Sequence, residues 1–341
     1  MKAIIMAGGE GKRLKPVSGD TPKPLVPLCG RPIMEHIVML LHDNGINDIC
    51  AALKYRAEDI SGYFGSGERF GVNMQYRIER EPLGTAGGVK NCADFYGDED
   101  FLVISGDAAC DFDLGELMRA HREHSPAVTL ALYPHSQPLR YGLALCGRDS
   151  FIRSFVEKPD WEHVVTNLVN TGIYIVSSDA MRLVPEDTAF DFAKDLFPLL
   201  LERGEKLFGL PMCGYWCDIG TPQSYYQCCA DALEGKLIIN PGDGFDISRP
   251  ECACPHGDGD IFPCRDRARL MAELSGFFLD MGADFSDGLS LPFDGGSLRI
   301  CACPDAAALR VAVTADDAEF ARELSVSARR LLQAMENRLE N

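Results

Sequence analysis

From the N-terminus to about residue 235, short apolar runs bounded by glycine alternate with stretches of helical period. The first run, Lys2-Ala3-Ile4-Ile5-Met6-Ala7, is β-branched and breaks into Gly8-Gly9, so it reads as a buried strand. Ile33 to Leu41 has a helical core face and stops near Asn44-Gly45. Ile46 to Lys54 then predicts a strand, Ala57 to Phe64 a helix and Asn73 to Ile78 a strand. Thr85 to Phe95 predicts a further helix, and Phe101-Leu102-Val103-Ile104-Ser105 a strand buried on both faces. Strands separated by helices of this length predict an α/β fold, a doubly wound and mostly parallel sheet with ligands at the carboxyl ends of the strands. From Ala127 to Ser177 several strands come in succession, which predicts an added mixed-sheet region. Phe192 to Glu202 and Gln223 to Leu233 are the last helices of this part.

The texture changes at residues 240–264. Glycine, proline and aspartate dominate Asn240-Pro241-Gly242-Asp243-Gly244 and Pro255-His256-Gly257-Asp258-Gly259-Asp260, as in a linker. Beyond it, Arg265 to Met281 predicts a helix, with strands near Leu289–Phe293, Ser297–Cys301 and Leu309–Thr314. A final helix is predicted from Asp316. Its Ala321, Leu324, Ala328, Leu331 and Met335 form one stripe, with Asp316 and Asp317 at its start and Arg329, Arg330 and Arg338 towards its end. The expected organisation is a first domain over 1–235, a linker over 236–264 and a small α+β domain over 265–341.

Composition narrows the function. The chain has 341 residues, 46% apolar and 25% charged, which suits a soluble globular protein. No segment approaches the roughly 18 uninterrupted apolar residues of a membrane span, and the N-terminus opens on a strand without signal-peptide organisation. Fourteen cysteines in that setting predict reduced thiols and a cytoplasmic location. The formal charge is −18, yet residues 8–31 carry Lys12, Arg13, Lys15, Lys23 and Arg31 against Glu10 and Asp20, a local +3. A small basic island in an acidic chain points to a small polyanion; nucleic acid would be repelled by the rest of the surface, and no membrane partner is expected. Cys252, Cys254, His256 and Cys264 are spaced too irregularly for a zinc knuckle, so linker cysteines are the expected reading, and metal binding there stays open.

Several short motifs carry chemistry. Gly8, Gly9 and Gly11 lack Cβ atoms, so backbone N–H groups there can close around a phosphate; an ordinary strand-to-helix loop explains the glycines alone equally well. The spacing matches neither a P-loop nor the dinucleotide fingerprint. Gly84-Thr85-Ala86-Gly87-Gly88 opens a helix, as an anion-facing turn or a tight packing turn would. Asp107 comes after Ser105-Gly106 at the tip of a buried strand and must face the crevice, whereas Asp111 and Asp113 are better placed to cap the next helix. Trp216-Cys217-Asp218-Ile219-Gly220-Thr221-Pro222 repeats the arrangement of strand end, acid and helix start. Glu157-Lys158-Pro159 reads equally as a solvated strand end, and Asn170-Thr171-Gly172 as a bulge.

Taken in order, these strings resemble the sugar-phosphate nucleotidylyltransferases, above all Ala7-Gly8-Gly9-Glu10-Gly11-Lys12-Arg13-Leu14 with Pro22-Lys23-Pro24-Leu25. The family usually has Thr where this chain has Lys12, which alters one side chain and leaves the backbone cradle. The resemblance implies a Rossmann-like, GT-A-like nucleotidyltransferase domain that joins an NTP to a sugar 1-phosphate and releases pyrophosphate. It implies that Ala7, Gly8, Gly9, Gly11, Lys12, Gly84, Thr85 and Gly87 line the nucleotide site, and that Arg13 and Lys23 neutralise the triphosphate. Glu157, Lys158, Asn170 and Thr171 would hold the sugar phosphate, and Asp107 and Asp218 a Mg²⁺ ion. Phe190-Asp191-Phe192-Ala193-Lys194-Asp195-Leu196-Phe197-Pro198 and Gly214-Tyr215-Trp216-Cys217-Asp218 are most similar to mannose-1-phosphate guanylyltransferases fused to a phosphohexomutase, and residues 265–341 to the last mutase domain. GTP and mannose 1-phosphate are therefore the expected substrates. Glucose or heptose 1-phosphate with UTP, dTTP or GTP is an alternative, as is a non-catalytic nucleotide-sugar sensor. The mutase serine and phosphate loops are absent, with Cys301-Ala302-Cys303-Pro304-Asp305 where the phosphate loop would fall, so mutase activity is not expected. Assembly into a homo-oligomer stays open.

Overall fold

Along the chain the strands are β1 (Lys2–Ala7), β2 (Pro27–Leu28), β3 (Arg31–Pro32), β4 (Asp48–Leu53), β5 (Asn73–Ile78), β6 (Phe101–Ser105), β7 (Ala108–Cys110), β8 (Val128–Pro134) and β9 (Gly142–Cys146). Then come β10 (Ile152–Glu157), β11 (Leu168–Val176), β12 (Leu207–Pro211), β13 (Trp216–Asp218), β14 (Asp260–Pro263), β15 (Leu289–Phe293), β16 (Gly296–Ala302) and β17 (Ala308–Ala315). The helices are α1 (Lys15–Ser18), α2 (Ile33–Asp43), α3 (Ala57–Phe64), α4 (Gly84–Lys90), α5 (Ala93–Tyr96) and α6 (Leu114–His124). After them lie α7 (Ser178–Met181), α8 (Phe197–Glu202), α9 (Pro222–Leu233), α10 (Arg267–Phe278) and α11 (Ala318–Leu339). This computed structural model describes residues 1–135, 138–157, 166–242, 260–278, 283, 288–293, 296–302, 308–315 and 318–339. The chain forms two compact units: Met1–Glu10 with Ile33–Asp218, and Gly11–Pro32 with Ile219–Asn341.

The first unit holds a nine-stranded sheet in the order β10-β9-β11-β6-β1-β4-β5, with β8 paired to β11 and β12 paired to β8. Strands β6, β1, β4 and β5 run parallel, while β11 lies antiparallel on β6 and begins the mixed extension. Ile4, Ile5, Leu102 and Val103 are fully buried, because helices cover both faces of a doubly wound sheet and leave no polar side to the strands. The predicted stop of α2 holds: Gly45 takes φ 76°, and Ile46 N–H reaches back to Leu41 O at 2.9 Å. The helix predicted over Thr85–Phe95 is two, α4 and α5. They part where Cys92 N–H tightens onto Val89 O, 2.9 Å away. The helix predicted over Phe192–Glu202 opens as a π-turn over Phe192–Leu196, its Asp191 N–H taken by Asp195 Oδ2 at 2.7 Å.

In the second unit, β14-β17-β16-β15 make an antiparallel sheet. Three of these strands were expected; β14 falls inside the segment read as linker. Its Ile261-Phe262 buries Phe262 in the cluster formed by Leu270, Leu274, Leu289, Ile300 and Leu332. From the predicted stripe of α11, Ala328 and Met335 are buried in that cluster and Leu331 packs against it. Among the described residues no helix is long and apolar enough to cross a membrane. Among those residues ten cysteines are free thiols, but Cys301 is disulfide-bonded, which corrects the expectation of reduced thiols throughout. Cys252, Cys254 and His256 lie outside the described residues; Cys264 is a buried free thiol in the apolar cluster.

Candidate active site

Four parallel strands end on one edge of the first unit's sheet, and the residues just past those ends line a crevice. After β1, Ala7 is buried and Gly8 turns the chain, while Gly9 faces open space. After β4 comes Lys54, and after β5 comes Glu79, whose N–H is held by Leu53 O at 2.8 Å. After β6, Gly106 N–H bonds Met6 O at 2.8 Å, and a Cβ there would stand 2.9 Å from both Ala7 Cβ and Ile5 Cγ2. Only glycine lets β6 close on β1 so tightly, and the next residue is Asp107, half-buried.

The register of a second, two-stranded ladder brings the other aspartate to the same place. In β13 against β7, Trp216 faces Cys110, Cys217 faces Ala109 and Asp218 faces Ala108. Asp218 is therefore one residue out of register with Asp107, across a ladder whose partnered Cα atoms lie about 5 Å apart. The ladder is pinned at its other end by Asp111, whose Oδ1 accepts Tyr215 N–H at 2.6 Å while its own N–H reaches Tyr215 O at 3.3 Å. Trp216 Nε1–H fastens it to Thr171 O at 3.1 Å. Of the two predicted helix caps, Asp113 takes Glu116 N–H and Asp111 serves the ladder instead. The donor set fits Mg²⁺: two carboxylates are hard oxygen ligands, and Mg²⁺ keeps further positions for water and phosphate. Among the described residues no group of three or more His, Cys, Asp or Glu side chains is placed to hold a metal ion.

Two residues that sequence reading missed, Lys54 and Glu79, stand in the crevice. Glu79 Oε1 lies 3.4 Å from where a Gly8 Cβ would be and blocks any Cβ at Gly88, and its Oε2 accepts Leu83 N–H at 3.3 Å. Burial raises its pKa, opposed by the Leu83 hydrogen bond and by the nearby Lys54 ammonium. Glu79 lies outside every short motif; strand register alone carries it between the two glycine turns. A signal did exist, in the acid placed directly after the β5 pattern.

The Gly84–Gly88 turn is fixed by packing. Phe190 O accepts Ala86 N–H at 2.9 Å and Gly87 N–H at 3.0 Å, and Phe190 or Thr188 carbonyls leave no room for a Cβ at Gly84 or Gly87. Thr85 Oγ1 donates to Asp191 Oδ1 and accepts Phe192 N–H, both at 2.9 Å. These amides and this hydroxyl are used within the protein.

Asn170 is half-buried on β11 where the register against β8 shifts, with its Oδ1 on Gly172 N–H at 3.1 Å. Thr171 is buried and donates its hydroxyl to Ala131 O at 2.7 Å, so it ties β11 to β8 and does not face the crevice. Glu157 ends β10 opposite Gly142. Lys158 lies outside the described residues.

The second unit carries the basic residues of the signature segment. Gly11 adopts φ 65°, and a Cβ on it would meet Lys23 Cβ at 3.0 Å. Lys23 is 7% exposed, its stem laid against that glycine, while Lys12 and Arg13 are exposed.

The nucleotidyl transferase family matches residues 2–235. Over 257 residues the chain is 34% identical to a UTP–glucose-1-phosphate uridylyltransferase of Synechocystis sp., covering 71% of this chain and 66% of that protein. Over 252 residues it is 34% identical to the mannose-1-phosphate guanylyltransferase catalytic subunit beta of Drosophila pseudoobscura, covering 71% of this chain and 67% of that one. The chain thus spans about two thirds of the length of these curated relatives. Among solved structures, HddC from Yersinia pseudotuberculosis complexed with GMP-PN is 31% identical with a TM-score of 0.59, covering 68% of this chain and 99% of that one.

Proposed function

The chain belongs to the nucleotidyl transferase family, and on that premise we propose that it transfers a nucleotidyl group from an NTP to a sugar 1-phosphate, with GTP and mannose 1-phosphate as the preferred pair. The observation that carries the reaction class is the β7–β13 register, which sets Asp218 beside Asp107 at the carboxyl ends of the parallel strands. An oxygen of the sugar 1-phosphate is already anionic, so attack on the α-phosphorus needs no general base and no covalent enzyme intermediate. Alignment and charge neutralisation then carry the catalysis. Asp107 and Asp218 would hold a Mg²⁺ ion, which when bound supplies positive charge against the reacting phosphates. Gly8 and Gly9 let the backbone approach the triphosphate, and Arg13 and Lys23 offset the charge of the departing pyrophosphate. Asn170 would present its amide to the sugar.

Glu79 supports guanine. Guanine offers adjacent N1–H and N2–H donors to a carboxylate, whereas uracil and thymine offer one N–H between two carbonyls, which a carboxylate repels. A site built around a hydrogen-bonded donor pair rejects a base lacking it by orders of magnitude. The relatives include both a uridylyl- and a guanylyltransferase, so the base is the sharper question. The test is Mg²⁺-dependent pyrophosphate release with GTP, UTP, dTTP, CTP and ATP, each against mannose, glucose and heptose 1-phosphates. Highest kcat/KM with GTP and mannose 1-phosphate is expected. Preference for another pair would overturn the substrate assignment, and no release with any pair would overturn the reaction.

A further inference from the structure

The segment that carries Lys12, Arg13 and Lys23 folds with the C-terminal part of the chain, within one compact unit. Two residues of α1 and α9 reach the apolar cluster of the C-terminal sheet. Val17, four positions after Arg13, and Tyr226 both pack against the group that contains Phe262, Leu289 and Ile300. Tyr226 also donates its hydroxyl to Gly288 O at 3.3 Å. Its neighbour Tyr225 is buried and turns the other way, donating to Pro27 O at 2.7 Å in the signature segment. The chain leaving α9 then returns to the β2–β3 hairpin, where Pro241 O accepts Arg31 Nε–H at 2.8 Å and Cys29 O accepts Gly242 N–H at 3.0 Å. At that crossing a Cβ on Gly242 would overlap the Gly30 carbonyl.

A segment with positive φ at Gly11 and Gly19 costs conformational entropy to order. Anchoring it before the ligand arrives removes the cost from the binding step. We propose that the β14–β17 sheet with α10 and α11 acts as a brace for the triphosphate-binding segment, with Val17 and Tyr226 as positioning residues that hold Arg13 and Lys23 ready for the NTP. This rests on the proposed nucleotidyl transfer. It assigns the C-terminal sheet a part in NTP affinity that no motif in the chain suggests. Loosening the brace should weaken the NTP and leave the sugar phosphate alone.

The test compares full-length Val17→Asn and Tyr226→Ala with the conservative Val17→Ile and Tyr226→Phe. In the first pair KM for GTP should rise about tenfold, with kcat and KM for mannose 1-phosphate within about twofold. The conservative pair should stay near wild type, and amide exchange over residues 11–28 should speed up only in the disruptive pair. Exchange over 101–110 should be unchanged in all four. Unaltered GTP KM and unaltered exchange in Val17→Asn would overturn the brace. Loss of kcat and both affinities together, with exchange raised throughout, would also overturn it in favour of a general folding role. A wild type that turns over no pair sinks the proposed function instead; exchange over 11–28 in Val17→Asn then still decides the brace.

Discussion

The two ends of the parallel strands in the first unit are built to opposite plans. At the carboxyl ends, glycines thin the backbone at residues 8, 88 and 106; Glu79 and Lys54 stand against Gly8, Glu79 against Gly88, and Asp107 follows Gly106 with Asp218 one residue out of register across the β7–β13 ladder. At the amino ends lies a cavity of about 540 Å³, lined among others by Asp100, His121, Ser177 and Arg203. The cavity is a sizeable hollow, yet the imidazole and the carboxylate that line it, His121 and Asp100, answer one another. His121 is buried between Thr129 Oγ1 at 2.8 Å and Asp100 Oδ2 at 3.2 Å. A carboxylate only accepts, so His121 carries its proton on Nε2 and receives the Thr129 hydroxyl at Nδ1. On the proposed function, the comparison teaches that thinned backbone with converging charge marks the chemistry better than hollow volume does.

The largest effect should come from removing charge at the carboxyl ends. Asp107→Asn and Asp218→Asn should each lower kcat at least ~10²-fold, about 2.7 kcal/mol of barrier, with folding intact by thermal melt. Near-normal Mg²⁺-dependent turnover in either variant would remove that residue from the site. Glu79→Gln keeps size and swaps an acceptor for an amide, so kcat/KM for GTP should fall about tenfold or more while UTP changes little. Equal loss for both nucleotides would show that Glu79 braces the glycine turns and does not read the base.

These two predictions differ in how far the sequence announces them. The buried runs at Lys2–Ala7 and Phe101–Ser105 gave away the parallel strands because a doubly covered strand has no polar face to hide. Asp107 was legible for the same reason, as an acid at the tip of such a run. Asp218 was legible in the same way, as an acid between a strand end and a helix start, but its pairing with Asp107 rested on resemblance alone. The β7–β13 ladder, which brings Asp218 to within one residue of register with Asp107 across 111 positions of chain, leaves no local trace, and Glu79 and Lys54 meet the glycines only through the register of β4 with β5. Thr85 and Thr171 read as ligand contacts in sequence, but their hydroxyls are bound to Asp191 and Ala131, because a β-branched alcohol near a tight turn finds a local partner. β14 was lost to the glycine- and aspartate-rich segment before it.

The amino ends should show themselves in stability. Burial lowers the His121 pKa more than the Asp100 carboxylate raises it, so the folded chain keeps the imidazole neutral. The unfolded chain takes up that proton at about pH 6.5. Stability from this residue is therefore complete above that pH and drains away as pH falls towards the lower folded value. Its slope cannot exceed about 1.4 kcal/mol per pH unit, the figure for one proton. Urea titrations between pH 7 and pH 5 should show His121→Gln with a flatter pH dependence than wild type. An identical slope would mean that His121 is not held neutral.

The contrast between the two ends is tested most directly by amide exchange with and without GTP and Mg²⁺. Protection is expected in peptides over residues 7–10, 79–88 and 104–108, at the carboxyl ends. Residues 121–127 and 177–183, around the amino-end cavity, should exchange as they do without ligand. Protection at the cavity with none at Gly8, Glu79 and Asp107 would contradict the account.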